Sequence, residues 1–354
     1  MATFFKIYST HSMAFIMLVV VLVTASLTIT GAQTTGVGVC YGRLGNDLPP
    51  PAEVVALYRK QNIGSMRIYD PNQEVLQALR DSNIELMLGV PNEDLQTLAS
   101  DASAASRWVQ TNVRSFWPAV RIKYIAVGNE VSPVNEENSQ YVPFLVPAMT
   151  NIYRAIVEAG LQEQIRVSTA TDTRVIDTAF PPSAGAFKGE VRSFFGPIID
   201  FLRDTRQPLF VNVYPYFAYN DDQNNIKLPY ALFANPSTEF TDSGNNLPYQ
   251  NLFDAILDSV YAALEKAGGS SLEIVVSESG WPSAGRDAAT TIENARTYNQ
   301  NLIQHVSRGS PKKPGRLIET YLFAMFNENQ KNPEYEKKFG LFFPNKAPVY
   351  PINF

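Results

Sequence analysis

The sequence predicts an α/β fold, a single-domain (β/α)8 TIM barrel, because its apolar segments have the number, composition and spacing of parallel strands. Eight segments are apolar and rich in β-branched residues, with helical or loop sequence between them. Successive segments begin between 19 and 64 residues apart, which leaves room for a crossover helix each time. The segments are residues 36–42, 65–70, 84–91, 122–130, 165–172, 208–217, 272–282 and 316–328.

The sequence between the predicted strands has the pattern of amphipathic helices. Residues 252–267 place Leu252, Ile256 and Val260 four residues apart and end before Gly268, which is typical of an amphipathic helix with a glycine stop. Eight strand and helix units in a mature chain of roughly 320 residues fit one closed barrel. A doubly wound open sheet built from the same segments is the alternative, because periodicity alone does not distinguish the two.

Two segments fall outside this pattern. Residues 1–32 contain Lys6, no acidic residue and an unbroken apolar run over 13–23, which predicts a signal peptide and a mature chain of residues 33–354. That run is too short to span a bilayer, so no membrane anchor is expected. Residues 219–249 are polar, rich in Asn and studded with aromatic residues. They are too long for a simple connection and predict a small rim subdomain after strand six.

Composition restricts the chemistry. The chain has a formal net charge of −5, and loss of Lys6 with the signal peptide lowers it to about −6, which disfavours nucleic acid and anionic membranes as partners. His305 and Cys40 are the only His and Cys of the mature sequence. They exclude a His/Cys zinc site and an intrachain disulfide and leave little room for a nucleophile paired with His. We therefore expect no metal and no cofactor, and carboxylates as the acid and base of an enzyme.

Two glutamates end predicted strands, and active sites of (β/α)8 barrels lie at the carboxyl ends of strands. Glu130 closes the fourth strand and Glu278 closes the seventh. Paired carboxylates there can cleave a glycosidic bond, one by protonating the departing oxygen and the other by attacking the anomeric carbon. A surface salt bridge is the commoner role of a single strand-end Glu, but equivalent positions on two strands favour catalysis.

Motifs that carry these glutamates and their neighbours run in order through the mature chain. They are residues 38–42 (GVCYG), 67–70 (RIYD), 127–131 (VGNEV), 213–217 (VYPYF), 276–283 (VSESGWPS), 319–321 (ETY) and 326–331 (FNENQK). With these motifs the sequence resembles plant endo-1,3-β-glucosidases of glycoside hydrolase family 17, the pathogenesis-related β-1,3-glucanases.

The resemblance implies the catalytic roles. Glu130 matches the acid/base of the family and Glu278 matches its nucleophile. Because the family is retaining, the two carboxyl groups are expected about 5–5.5 Å apart. Glu130 needs a raised pKa to be protonated in a mildly acidic cell wall, and the nearby charge of Glu278 is a sufficient cause.

The resemblance also implies contacts with substrate. Asn129 is expected to bind the sugar 2-hydroxyl, and Tyr69 to orient the nucleophile, with a core tyrosine as the alternative. Glu319 and Glu328 match carboxylates of the family's cleft, and Lys331 is close in sequence; a buried, hydrogen-bonded Glu319 is the alternative. Sugar stacking is expected from the aromatic residues Tyr214, Phe217, Trp281 and Phe326.

The predicted function is endo-hydrolysis of 1,3-β-glucan from fungal or plant walls, in defence against fungi, by a monomer. The alternatives are a 1,3;1,4-β-glucan endohydrolase of the same family and a non-catalytic glucan-binding protein. Both glutamates are present, which argues against a pure binder. The signal peptide, the acidic balance and an end at Phe354 soon after residues 339–342 predict a secreted, apoplastic form rather than a vacuolar one.

Overall fold

Eight parallel strands close into a barrel in the computed structural model, which describes residues 36–354. Neighbours in sequence are neighbours in the barrel, and β8 closes it by pairing with β1. Each predicted segment supplies one strand, so the (β/α)8 fold is confirmed and the open sheet is excluded. The strands are β1 Val37–Cys40, β2 Ser65–Ile68, β3 Glu85–Val90, β4 Arg121–Asn129, β5 Arg166–Asp172, β6 Leu209–Asn212, β7 Ile274–Ser279 and β8 Thr320–Leu322.

Helices fill the connections between the strands. They are α1 Pro51–Lys60, α2 Gln73–Ala78, α3 Leu95–Ser100, α4 Ala102–Val109, α5 Val142–Glu158, α6 Gly189–Thr205, α7 Pro215–Asp221, α8 Leu228–Ala231, α9 Leu252–Lys266 and α10 Ile292–His305. Short 3₁₀ turns lie at Asn92–Asp94, Ser139–Tyr141, Thr173–Val175, Pro182–Ala184, Val306–Arg308 and Glu334–Lys338, and a π turn at Gln110–Arg114. The predicted helix over residues 252–267 is therefore present as α9, whose N-cap Asn251 accepts a hydrogen bond from the amide of Asp254.

The long connection after β6 contains its own small elements. Residues 219–249 include the end of α7, the short α8, and an antiparallel pair formed by Phe240–Thr241 and Pro248–Tyr249. The rings of Phe240 and Tyr249 stack at 5.3 Å, and the Tyr249 hydroxyl donates to Asp258 on α9 at 3.0 Å. These contacts fix the hairpin against α9. A separate rim subdomain in this segment stays a prediction.

The predicted signal peptide, residues 1–32, lies outside the described residues. Within residues 36–354, none of the helices has the length and apolar character needed to cross a membrane. Cys40 is fully buried in β1, and burial raises the pKa of its thiol to about 12, so it is an unreactive core side chain.

Candidate active site

The end of β4 turns sharply to place Glu130. Gly128 and Glu130 have positive φ angles of 67° and 52°, and such a conformation is uncommon for a residue other than Gly. A Cβ on Gly128 would lie 3.1 Å from Oδ1 of Asn92. The Asn92 side chain accepts from the backbone N–H of Asn129 and donates to its C=O. The amide of Glu130 donates to the carbonyl of Ala170 at 2.8 Å. Backbone strain of this kind is concentrated at functional sites.

Glu278 is an almost fully buried carboxylate surrounded by hydrogen-bond donors. Its side chain at the end of β7 is 8% exposed. Oε1 accepts from the Tyr69 hydroxyl at 2.7 Å and from Arg67 Nη1 at 2.9 Å, and Oε2 accepts from the Tyr214 hydroxyl at 2.7 Å. Burial raises the pKa of both tyrosines well above the usual range, so their hydroxyls remain protonated and donate. These donors fix the orientation of the Glu278 carboxyl group.

Arg67 and Asn212 connect the two glutamates. Nδ2 of Asn212 donates to Glu130 Oε1 at 2.8 Å, while its Oδ1 accepts from Arg67 Nη1 at 3.1 Å. Arg67 also donates through Nη2 to Oδ1 of Asn129 at 2.8 Å. Neither residue has a predicted role. The signals in the sequence were a charged residue inside an apolar strand, in the RIYD motif, and a polar residue inside the sixth apolar segment.

Glu130 is the carboxyl group of the pair whose pKa is raised. Its side chain is 24% exposed, and its pKa is raised to about 7. Burial is the largest cause, followed by the negative charges of Asp172 and then Glu278. The charge of Glu278, expected from the sequence to be a sufficient cause, is one of three contributions, and burial and Asp172 contribute more.

Asn129 presents a donor to the cleft. Its Oδ1 accepts from Arg67 and, at 3.3 Å, from Asn212. Within the described part of the chain, no protein acceptor lies within hydrogen-bonding range of its Nδ2. The side chain is half-buried, so this N–H group is available to a substrate hydroxyl beside Glu130.

Two aromatic residues expected to stack on sugar are in the core, and these expectations are wrong. Trp281 is 0% exposed; its indole N–H donates to the carbonyl of Ala289, and its ring packs against Tyr298. Phe326 is also buried and packs edge-on against Tyr41. Neither residue has a ring face that a sugar can reach.

The other two aromatic residues lie at the site. The hydroxyl of Tyr214 donates to Glu278, and the side chain is half-buried, so stacking of a sugar on the Tyr214 ring stays a prediction. Phe217 is half-buried, with ring centroids 5.2 Å from Tyr214 and 6.4 Å from Phe339. Stacking of a sugar on Phe217 stays a prediction.

Glu319 lies at the wrong end of the barrel for a cleft residue. It immediately precedes β8, and its carboxylate accepts from Lys123 Nζ at 3.0 Å and from the Tyr124 hydroxyl at 2.8 Å. Both partners belong to the first residues of β4, so Glu319 sits at the amino-terminal face, opposite Glu130 and Glu278. The alternative, a partly buried and hydrogen-bonded Glu319, is the correct description.

Glu328 and Lys331 form an ion pair behind the site. Glu328 is buried and accepts from the amide of Leu44 at 2.8 Å, while its other oxygen lies 3.4 Å from Lys331 Nζ. Being buried, Glu328 fixes the loop after β1 and does not reach substrate. Lys331 Nζ lies 4.0 Å from the ring centre of Phe323, which packs on Tyr69.

These groups equip the carboxyl end of the barrel for one kind of chemistry. One carboxylate is held in place by a guanidinium and two tyrosine hydroxyls, and the pKa of the second is raised to about 7. Among residues 36–354 there is no cluster of His, Cys, Asp and Glu arranged to hold a metal ion. Paired carboxylates with such divergent environments on a (β/α)8 barrel are typical of glycoside hydrolases. The family model described as "Glycosyl hydrolases family 17" matches residues 37–354, and the chain belongs to that family.

Named relatives cover nearly the whole chain. The glucan endo-1,3-beta-glucosidase, basic vacuolar isoform, of Nicotiana plumbaginifolia is 56% identical over 354 residues, which are 100% of this chain and 95% of the relative. The solved structure of CJP38, a beta-1,3-glucanase and allergen of Cryptomeria japonica pollen, is 52% identical with a TM-score of 0.87, covering 90% of this chain and 98% of that one. A structure from a study of two plant beta-glucan endohydrolases with distinct substrate specificities is 47% identical, with a TM-score of 0.85 and coverage of 90% and 100%.

Removal of the Arg67 charge should destabilise the fold. Arg67→Met leaves the Glu278 carboxylate buried and without its cation, and we expect a loss of about 3–5 kcal/mol in the free energy of unfolding. Glu278→Gln in the same chain should recover part of that loss, because the orphaned charge is then absent. Denaturant unfolding of the single and double variants measures both effects.

The matched control is Arg43→Met, which breaks an exposed ion pair with Asp70 at the same end of the barrel. Its cost should stay under about 1 kcal/mol. Equal losses in the free energy of unfolding for Arg67→Met and Arg43→Met would contradict the importance of the buried ion pair with Glu278.

Proposed function

We propose that the protein hydrolyses internal 1,3-β-D-glucosidic bonds of 1,3-β-glucan by a retaining double displacement. The observation that carries the proposal is the pairing, on a family 17 barrel, of Glu278 held by Arg67 and two tyrosine hydroxyls with Glu130, whose pKa is raised to about 7. The names of highly similar relatives support 1,3-β-glucan as the substrate.

In the first displacement, Glu278 attacks the anomeric carbon while Glu130 gives its proton to the departing glycosidic oxygen. The carbon–oxygen bond to the leaving sugar breaks, and an ester bond to Glu278 forms. Tyr69 and Tyr214 fix the carboxylate so that little reorganisation is needed before attack. Asn129 Nδ2 donates to the sugar 2-hydroxyl and so orients the ring beside Glu130.

In the second displacement, Glu130 acts as the base. It takes a proton from water, the water oxygen bonds to the anomeric carbon, and the ester bond breaks to return the Glu278 carboxylate. Esterification removes the negative charge of Glu278, one of the influences that raise the pKa of Glu130. The same side chain therefore becomes more acidic when it must give up its proton.

The cleft wall supplies the substrate contacts of this proposal. Phe217 offers a half-buried aromatic ring on which a glucosyl unit stacks, and the Lys331 ammonium lies at the back of the same wall over Phe323. The principal competing function is a 1,3;1,4-β-glucan endohydrolase, since structures of two plant endohydrolases with distinct specificities share this fold. A non-catalytic binder has no need for a buried nucleophile with three donors.

The test compares reducing-end release from a linear 1,3-β-glucan and from a mixed-linkage 1,3;1,4-β-glucan. We expect cleavage of the first only, and loss of nearly all activity in Glu278→Gln and Glu130→Gln with the fold intact. Glu319→Gln is the matched control, because it makes the same chemical change at the opposite end of the barrel, and it should retain activity.

Preference for mixed linkage would move the assignment to the sister activity. Substantial hydrolysis by either catalytic variant would mean that the roles are misassigned.

The proposed setting is a secreted, monomeric enzyme that releases oligosaccharides from fungal wall glucan in plant defence. The signal-peptide pattern of residues 1–32 and the net charge of −5 support secretion to the apoplast. Similar relatives are named basic vacuolar isoforms, which makes the vacuole the competing location. Expression of the full chain with a carboxyl-terminal tag in plant cells tests this: the product should appear in apoplastic wash fluid, and accumulation in vacuoles would overturn the location.

The pH dependence follows from the environment of Glu130. Its pKa is raised to about 7 by burial, Asp172 and Glu278, and the acid role requires the protonated form. We therefore expect kcat/KM for 1,3-β-glucan to be high below neutral pH and to fall as the pH rises through about 7, since kcat/KM reports the free enzyme. A pH–rate profile measures this. An alkaline limb near pH 4–5 would show that Glu130 is not the group lost.

A further inference from the structure

An arginine that the proposed mechanism does not use lies against the acid/base. Arg174 follows β5 in a short 3₁₀ turn, and Asp172, the last residue of β5, holds it on two sides. Oδ2 of Asp172 accepts from Arg174 Nη2 at 2.6 Å and from Nε at 3.0 Å, while Oδ1 accepts from its backbone amide at 2.8 Å. Asp172 is nearly buried, so the guanidinium is anchored to a rigid strand end.

The guanidinium faces the functional oxygen of Glu130. Nη2 of Arg174 lies 3.3 Å from Glu130 Oε2. The other oxygen, Oε1, accepts from Asn212 at 2.8 Å, so Oε2 is the one left to exchange a proton with substrate or water. The Arg174 side chain is 53% exposed, which leaves it room to adjust when the carboxyl group changes its protonation state.

Charges of both signs face Glu130. Asp172 beside β5 and Glu278 on β7 are negative, and Arg174 is positive. Among residues 36–354, Arg174 is the one cation within 4 Å of the Glu130 carboxylate; Arg67 reaches it through Asn212. Glu137, in the loop after β4, lies near enough to act on Arg174 as well.

We propose that Arg174, anchored by Asp172, is a positioning residue that stabilises the ionised carboxylate of Glu130 while the glycosyl-enzyme is hydrolysed. The inference rests on the proposed function, because it assumes the acid/base role of Glu130. In the free enzyme Glu130 is neutral and gains little from the guanidinium. In the intermediate Glu278 is a neutral ester and Glu130 is an anion, and the nearby cation then lowers its energy.

Asp172 and Arg174 shift the pKa of Glu130 in opposite directions. The Asp172 charge raises the pKa of Glu130, and the Arg174 charge lowers it. Loss of the guanidinium should therefore move the alkaline limb of kcat/KM to higher pH. Loss of the Asp172 carboxylate should move it to lower pH, because a repulsive charge is removed and Arg174 is released toward Glu130.

The experiment measures pH profiles of kcat/KM on 1,3-β-glucan for the mature enzyme and its variants. We expect a shift of about half a pH unit upward in Arg174→Gln and downward in Asp172→Asn, with Arg174→Lys close to the parent because it keeps the charge. Arg43→Gln is the control, since the exposed guanidinium of Arg43 pairs with Asp70 and does not contact Glu130. The alkaline limb of kcat/KM in this variant should not move.

A second measurement isolates the hydrolysis of the intermediate. An aryl 1,3-β-glucan oligosaccharide with a good leaving group needs no acid in the first displacement, so kcat reports the second. In Arg174→Gln the acid limb of kcat should move to higher pH, because Glu130 in the intermediate then holds its proton more tightly. A merely structural role would lower kcat at all pH values without moving the limb.

The outcomes separate this inference from the proposed function. Opposite shifts in Arg174→Gln and Asp172→Asn support it, as does the Lys variant with the parent profile. An unmoved limb in Arg174→Gln, or shifts of the same sign in both variants, overturns it while the wild-type enzyme still cleaves glucan. Failure of the wild type to cleave glucan, or activity in Glu130→Gln, overturns the proposed function instead. If Arg174→Gln does not fold, Arg174→Ala takes its place in both pH profiles, because the shift in Asp172→Asn also reports the loss of the Asp172 charge.

Discussion

The buried ion pair between Arg67 and Glu278 organises the carboxyl end of the barrel. The two side chains are 1% and 8% exposed, and removing both charges from water is costly unless further hydrogen bonds compensate. The compensation comes from other strand ends: Arg67 also donates to Asn212 and Asn129, and Glu278 accepts from two tyrosines. The hydrogen bonds of this one buried ion pair therefore set the positions of β2, β4, β6 and β7 relative to one another. The site is rigid because these side chains are part of the barrel core.

This arrangement gives two residues of the same type different chemistry. Glu278 is surrounded by a guanidinium and hydroxyl donors, which favour its charged form. Glu130 accepts from the neutral amide of Asn212 and from the half-exposed Arg174; burial and the carboxylates of Asp172 and Glu278 outweigh these donors, and its pKa is raised to about 7. In the proposed mechanism, these different surroundings are what assign the nucleophile role to Glu278 and the acid role to Glu130. In such a pair the surroundings of each carboxyl group decide its chemical role. A variant that is to change the role must therefore change the charges and donors around that group.

The parts of the fold and site that follow from sequence are those with a one-dimensional signal. Strands of a parallel barrel are buried on both faces, so they appear as apolar runs, and a Glu at the end of such a run lies at the mouth. The predictions for segment 316–328 were wrong because its strand is only Thr320–Leu322. Glu319 precedes the strand, and Phe326 lies beyond it in the core. Burial of Trp281 depends on α10 packing over it, a contact between distant segments that no local pattern records.

The two ends of the barrel use the same residue types for different purposes. At the amino-terminal face Glu319 binds Lys123 and Tyr124, a partly exposed network that joins β4 to β8 and is complete by itself. At the carboxyl end two groups keep hydrogen-bonding capacity: among residues 36–354, Asn129 Nδ2 has no protein acceptor, and the partner of Glu130 Oε2 is the half-exposed Arg174. Hydrogen-bonding capacity left toward the cleft is what distinguishes Asn129 and Glu130 from the charged residues of the amino-terminal face. That criterion also explains why Glu328, a motif residue whose buried carboxylate is fully engaged by Leu44 and Lys331, belongs to the scaffold.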